Sequence, residues 1–267
     1  MNARTVVTLP LQFTTECVNC IFMFLVAAML CCSAPQVMPL DRAIFDQCMS
    51  SRARTAQVVA MDRRNVHELL RKFGAATVPA AARRSLERLV EASPGLKGRK
   101  VSLVAYNSRF LNAHEADHGV IVIASAAWSK DQHLADDEVA AMLAHEVAHL
   151  ELADSKRTAC EALAYVSNAE LTLPSAIRET TREAYAGDTD LSLTLATISQ
   201  AREKAADVRG AQLLAAAGFD PRAMARMLRK LAPPGVFSSA SHPAIGARIE
   251  NVLKSLGPAG VEGSASD

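Results

Sequence analysis

Aromatic residues are scarce in this chain, with one Trp, three Tyr and eight Phe among 267 residues, while Ala is abundant. That balance favours helices over a β-rich fold. An excess of one charge is also missing: 29 basic residues face 28 acidic ones, and no block of like charge stands out. Such a chain offers no electrostatic footprint for nucleic acid and no charged interaction tail. Cysteine is sparse outside the N-terminus. Of six Cys, four (Cys17, Cys20, Cys31 and Cys32) fall in the first 32 residues, leaving Cys48 and Cys160. Two cysteines exclude a disulfide framework and a Cys-type zinc site; one bridge or two buried thiols both stay open. Internal repeats are absent, and past the N-terminal segment no apolar run is long enough to span a bilayer. The length and the 50% hydrophobic content suffice for one good-sized core, so the class is a helix-rich globular domain.

The N-terminal run from Cys20 to Cys32, CIFMFLVAAMLCC, is uncharged and apolar. It is short for a membrane span and suits the core of a signal peptide, with small residues allowing cleavage after Ala34. Residues 1–34 are therefore expected to be a signal peptide. An uncleaved N-terminal anchor is the main competitor, because the preceding segment is long and carries only Arg4 as a fixed positive side chain. Lipoprotein processing at Cys31 or Cys32 is a third route. Each of these sends the protein to the periplasm or cell envelope, with membrane association through the N-terminus in the second and third.

Beyond a Pro-containing link, residues from Asp41 to Phe73 read as helix with Gly74 as the stop, and Pro79 to Ala92 as a second helix. These belong to an N-terminal helical segment, 35–96. The pattern then changes. Val101 to Tyr106 and Val120 to Ala124 are short, β-branched and bounded by polar or Gly residues, which predicts strands. Helical periods return from Asp136 to about Ala153, with Asp136 and Asp137 as cap and acidic first turn. Further helices are expected from about Leu195 to Ala217, after the Asp220-Pro221 cap pair, and from about Pro243 to Leu256. The Gly- and Ser-containing tail, 257–267, reads as disordered.

Two segments contain His-Glu-x-x-His: Ala113 to Gly119, AHEADHG, and Ala144 to Leu150, AHEVAHL. The motif binds zinc when both imidazoles share one helix face, one turn apart, with the Glu beside the metal's open position. The second copy meets this condition. Its helix has apolar residues on two faces, which implies burial, and buried His and Glu need a partner such as a metal. The alternative is a pair of core histidines satisfied by backbone or carboxylate. The first copy has no apolar face and little room before the next strand. It reads as a solvated loop and a decoy, with a surface metal site at His114 and His118 as the competing reading.

Two His leave zinc short of ligands, since catalytic sites usually take three from protein. In AREKAADVRGAQLLAAA, Glu203 and Asp207 lie one turn apart on an Ala- and Leu-rich helix. Glu203 can supply a carboxylate ligand, and Asp207 can accept the free N–H of a ligand imidazole and hold its tautomer. Taken alone the pair reads as exposed and balanced by Arg202, Lys204 and Arg209; beside a buried zinc-type helix the ligand reading is favoured.

The set AHEVAH, EKAADVRGAQLLAAAGFDP and SHPAIGARI resembles the HtpX-like zinc metalloendopeptidases, gluzincins related to the CAAX prenyl proteases and to periplasmic quality-control peptidases. The likeness spans about Val101 to Val252 and extends to Asn112-Ala113, GVIVIASAAW and Asp137-Glu138. It implies an α+β, mostly helical zincin-like domain, here 97–256, with a small antiparallel sheet. Gly119 to Ala124 would be the edge strand that holds substrate backbone. It also implies His145, His149 and Glu203 as ligands of one Zn2+ per chain, Glu146 as catalytic base and Asp207 behind the ligands. The chain departs from many members at Asp154-Ser155-Lys156-Arg157, where they carry a further Arg-His. It also lacks the extra transmembrane helices of the membrane-embedded branch, and appended repeat or PDZ modules.

The expected activity is zinc-dependent endopeptidase cleavage of protein or peptide substrates, misfolded or envelope proteins among them. Glu146 would take a proton from a zinc-activated water. His242, held by Pro243 ahead of a helix, is the candidate oxyanion donor; it could instead fill the metal's open position and keep the enzyme latent. Tyr165, Tyr185 and Arg248 are lesser candidates. A zinc-stabilised chaperone or scaffold without proteolysis is the alternative, and a metal-free structural lipoprotein is a further one. Residues Gly187 to Ser199 are expected to form a lid or groove wall. Oligomeric state and substrate identity are not legible.

Overall fold

The first helical stretch divides at Ser51, giving α1 (Arg42–Ser50) and α2 (Arg52–Phe73). Ser51 ends one helix and caps the next: its N–H donates to Cys48 O, and its hydroxyl accepts from the Arg54 N–H at 3.3 Å. The computed structural model describes residues 39–116, 118–130, 134–185, 189–231 and 244–257. The leader, His242 with Pro243, and all of the tail after Gly257 lie outside those residues.

After α2 come β1 (Ala75–Ala76), α3 (Ala80–Ala92), β2 (Ser102–Tyr106), β3 (Ala113–Ala116) and β4 (Val120–Ala124). Then follow α4 (Asp136–Leu152), α5 (Asp154–Tyr165), α6 (Leu173–Tyr185), α7 (Thr189–Ala216), α8 (Ala223–Leu231) and α9 (Ile245–Ser255). The fold is α+β and mostly helical, with one small four-stranded sheet, as expected. None of the described helices is long and apolar enough to cross a membrane.

Two details of the sheet correct the sequence reading. Strand order is β1-β2-β4-β3, and β2 pairs with β4 in parallel, so the sheet is mixed rather than antiparallel. The segment from Gly119 to Ala124 is not an edge. Its strand, β4, is flanked by β2 and β3, and the edge beside it is β3, the first His-Glu-x-x-His copy. The first part of that copy, Ala113–Ala116, is therefore a strand and not a solvated loop, while His118 and Gly119 lie in the turn that follows. His114 and Glu115 pair with Val122 and Ile121, and the turn back into β4 uses Gly119 at φ 84°. Neither residue type favours a strand; pairing with the buried β4 overrides local preference.

Alternation along β4 sends Ile121 and Ile123 to one face and Val122 and Ala124 to the other. The first face joins the main core with Leu86 and Leu89 of α3, Leu143, Val147 and Leu150 of α4, Leu213 and Leu214 of α7, and Met224 of α8. The second face packs under Val66, Leu69 and Leu70 of α2. A separate cluster ties α1, α2, α5 and α6 through Phe45, Val58, Leu163 and Leu173. Within it Cys48 and Cys160 form a disulfide, with Cα atoms 5.6 Å apart, which closes the choice left open by the sequence.

Helix α4 is the axis of the domain, and residues on every side of it are buried from Glu138 to Ala148. Asp136 is its first residue rather than its cap. The N-cap is Ala135, and the Glu138 carboxylate accepts from the Ala135 N–H at 2.7 Å while pairing with Lys230.

Candidate metal centre

Helix α7 lies directly against α4 because Gly210 has no side chain. A Cβ there would stand 3.1 Å from His145 N and 3.2 Å from Ala144 C. The bidentate pair of Arg209 with Glu151 fixes the same contact, at 2.7 and 3.0 Å. With the two helices this close, residues one turn apart on each face one another. His145, Glu146 and His149 come from α4, and Glu203 and Asp207 from α7.

The two Nε2 atoms of His145 and His149 are 3.1 Å apart, and each is 3.6 Å from a different oxygen of Glu203. Among the described residues this is the group of three able to hold a metal ion. Zn–N bonds of about 2.0–2.1 Å at a tetrahedral angle separate two ligand nitrogens by roughly 3.3 Å, so the observed spacing fits a zinc ion. The outer nitrogens are also engaged. Nδ1 of His149 is 2.8 Å from Asp154 Oδ2. Nδ1 of His145 is 3.0 Å from Asp207 Oδ1, at an angle outside good hydrogen-bond geometry. Each carboxylate thus turns the opposite ring nitrogen inward.

Arg248 of α9 completes the back of the site. It forks onto Asp207 with two contacts of 2.7 Å and reaches Glu203 Oε2 at 3.0 Å. All three guanidinium nitrogens are turned to carboxylates, which leaves Arg248 a holder of the acids rather than a free oxyanion donor. Glu146, Asp154, Asp207 and Arg248 are buried, and Glu203 nearly so. Arg248 offsets Asp207 and Glu203, and Arg202 and Arg157 stand beside Asp154. Four buried or nearly buried carboxylates and two imidazoles thus crowd one spot, a site that favours a dication.

The charges show in the proton affinities. Burial would depress His149, but the hydrogen bond to Asp154 and the nearby carboxylates of Glu203 and Glu146 lift it to about 10. Burial would raise Glu203, but the approach of His149 and the charges of His145 and Arg248 bring it to about 2. Asp207 is likewise lowered overall, by Arg248 and His145 acting against burial.

Asp154 is the residue that sequence reasoning missed; it stood only as a departure from the family pattern. It reaches His149 because Ala153 adopts the left-handed conformation, φ 55° and ψ 42°, turning the chain from α4 straight into α5. Arg202 backs Asp154 from α7 at 3.7 Å and pairs with Glu161.

The site opens into a cavity of about 1080 Å³. His145, Glu146, His149, Glu203 and Arg248 line it, and His114 and Glu115 of edge strand β3 line it as well. His118 is not among the lining residues, and among the described residues the first copy brings no metal group together. Tyr165 does not line the cavity either; the Tyr185 side chain and His242 lie outside what is described. Ser192, Leu195, Ala196, Ile198 and Ser199 do line it, from the first turns of α7, so that part of the expected lid or wall is helical wall.

The family model for Peptidase family M48 matches residues 79–256. The chain belongs to peptidase family M48. This is the family of HtpX-like and CAAX-protease zinc metallopeptidases, so the protein is a metallopeptidase whose substrates are proteins or peptides. The match begins at α3, which the main core already holds against α4. Comparison with curated proteins finds no match.

Proposed function

We propose that the protein is a zinc endopeptidase of the cell envelope, with His145, His149 and Glu203 as metal ligands and Glu146 as the general base. The observation that supports this reading best is the meeting of three ligand atoms from two helices at the wall of a cleft that also exposes Glu146. A bound zinc ion would supply Lewis acidity, polarising the scissile carbonyl and acidifying a water. Glu146 takes a proton from the attacking water and returns it to the leaving amine. Asp154 and Asp207 hold the two imidazoles in the tautomer and orientation the metal needs. The β3 edge can receive the substrate backbone as an added strand, setting the scissile bond across α4. His242 is the candidate for a further oxyanion donor. Misfolded or envelope proteins are the substrates this reading favours.

Export through the N-terminal segment is part of the same proposal, and the Cys48–Cys160 disulfide supports it, because such bonds persist in oxidising compartments. The test of the whole reading is Glu146→Gln. Zinc content should stay near one per chain while cleavage of unfolded casein falls by about 10²–10⁴. A variant that still cleaves at the wild-type rate, or a wild type whose cleavage survives chelation, would refute it.

A further inference from the structure

One side of the active-site cavity takes no part in the reactions above. It is walled by α2, α5, α6 and the N-terminal half of α7, and presents Val58, Met61, Ala162, Ile177, Leu195 and Ala196. Asp62, Thr181 and Ser199 line this side as well, but several of its polar groups are turned into the wall. Thr180 donates to Ala162 O at 3.1 Å and Ala176 O at 2.9 Å, and Ser192 donates to Ala184 O at 3.0 Å. Arg202 is paired with Glu161 and bonded to Thr158. The gallery therefore offers mainly apolar surface, with Arg202 and Glu161 neutralising each other and Asp62 as a further acidic group, and it is continuous with Glu146 and the histidines. An acidic side chain entering it would lose hydration and meet Asp62 and an Arg202 already engaged by Glu161 and Thr158. A large apolar one would gain its transfer free energy.

Resting on the peptidase reading, we infer that this gallery is the specificity subsite, and that it takes a bulky aliphatic or aromatic side chain adjacent to the scissile bond. The small side chains of Ala162 and Ala196 keep it open. Substrates are then extended polypeptides presenting core-type residues, which folded proteins bury and unfolded ones expose.

The test uses zinc-loaded protein and a peptide series carrying Ala, Leu, Phe or Asp at each position flanking one cleavable bond. Wild type should prefer Leu or Phe over Ala at one position by on the order of 10- to 100-fold in kcat/KM, with Asp no better than Ala. Ala196→Phe fills the gallery from a half-buried helical position. It should abolish that preference, bringing cleavage of the Leu and Phe peptides down to that of the Ala peptide. Leu195→Ala widens the gallery and should shift preference toward Phe, which keeps the idea testable if the filled variant folds poorly. Equal cleavage of Leu, Ala and Asp peptides by wild type, or a preference unmoved in both variants, overturns the subsite while leaving the peptidase reading intact. If wild type cleaves none of the peptides, the peptidase reading fails instead. Binding of fluorescent Leu and Asp peptides to Glu146→Gln and to Glu146→Gln/Ala196→Phe then decides the gallery alone. Loss of Leu-peptide binding only in the double variant supports the subsite, and equal binding of both peptides to both proteins overturns it.

Discussion

His149 carries carboxylates on both sides, Asp154 at Nδ1 and Glu203 near Nε2, and in the metal-free protein these hold its proton up to a pKa of about 10. A metal must displace that proton. Zinc uptake at pH 7 should therefore release about one proton from His149, and affinity should rise about tenfold per pH unit across the neutral range. Calorimetry in buffers of different ionisation enthalpy reads the proton directly. The sign for folding runs the opposite way: the His149 contribution to metal-free stability is complete below about 6.5 and disappears as pH rises through about 10. Glu203, near 2, contributes stability above its ordinary value, lost as pH falls toward about 2. Asp154→Ala should lower zinc affinity at neutral pH by about 10- to 100-fold, measured by chelator competition. It should also flatten the pH dependence, because the proton it helped retain no longer competes. The buried His-Glu-x-x-His helix pointed to His145, Glu146 and His149, whereas Glu203 and Asp207, readable alone as an exposed pair, were singled out by that helix and by the family resemblance. Asp154 was not legible. Its route to His149 runs through a left-handed Ala153, where the residue type that signals such a turn is Gly.

Gly210 decides how far apart α4 and α7 sit, and hence whether Glu203 reaches the histidines. In an exposed helix Gly→Ala stabilises by about 1 kcal/mol. Here the new methyl would meet Met224 Cε at 2.6 Å, which a flexible side chain can relieve, and two backbone atoms of buried α4 at 3.1 and 3.2 Å, which cannot move alone. Overpacking costs about 1–3 kcal/mol, so the gain is cancelled or reversed. Gly210→Ala should lower the melting temperature of the metal-free protein, and weaken zinc binding further by pushing Glu203 outward. A variant with unchanged zinc affinity would show that α7 tolerates the shift. At this scale the long periodic helices and β-branched strands were readable. Two kinds of element were not. Helices α5 and α6 (DSKRTACEALAY and LPSAIRETTREAY) bury faces against each other and against α2, so their apolar pattern has meaning only once the satellite cluster exists. Strand β3 is four residues of Ala, His and Glu, held by its neighbour rather than by its own preference.

The molecule rests on two unequal hydrophobic centres. The larger surrounds α4; the smaller, under α1, α2, α5 and α6, buries few large side chains and contains the disulfide. The bridge joins positions 112 apart, and closing a loop of that length restricts the unfolded chain by an amount worth typically about 2–4 kcal/mol. A Cys48→Ala/Cys160→Ala variant should lose that much stability in denaturant, with the loss concentrated in the smaller centre. Helix α5 keeps other ties, since Lys156 donates to Met49 O at 2.6 Å and to Thr55 Oγ1 at 2.7 Å, and Arg202 still grips Glu161. Asp154 therefore stays beside His149, and zinc affinity should change by less than about tenfold. Hydrogen exchange separates the two effects: amides of α1 and α5 should open faster while those of α4 and α7 keep their protection. Uniform acceleration in all four helices would mean that the centres fold as one unit, and that the disulfide steadies the helices of the candidate metal centre as well.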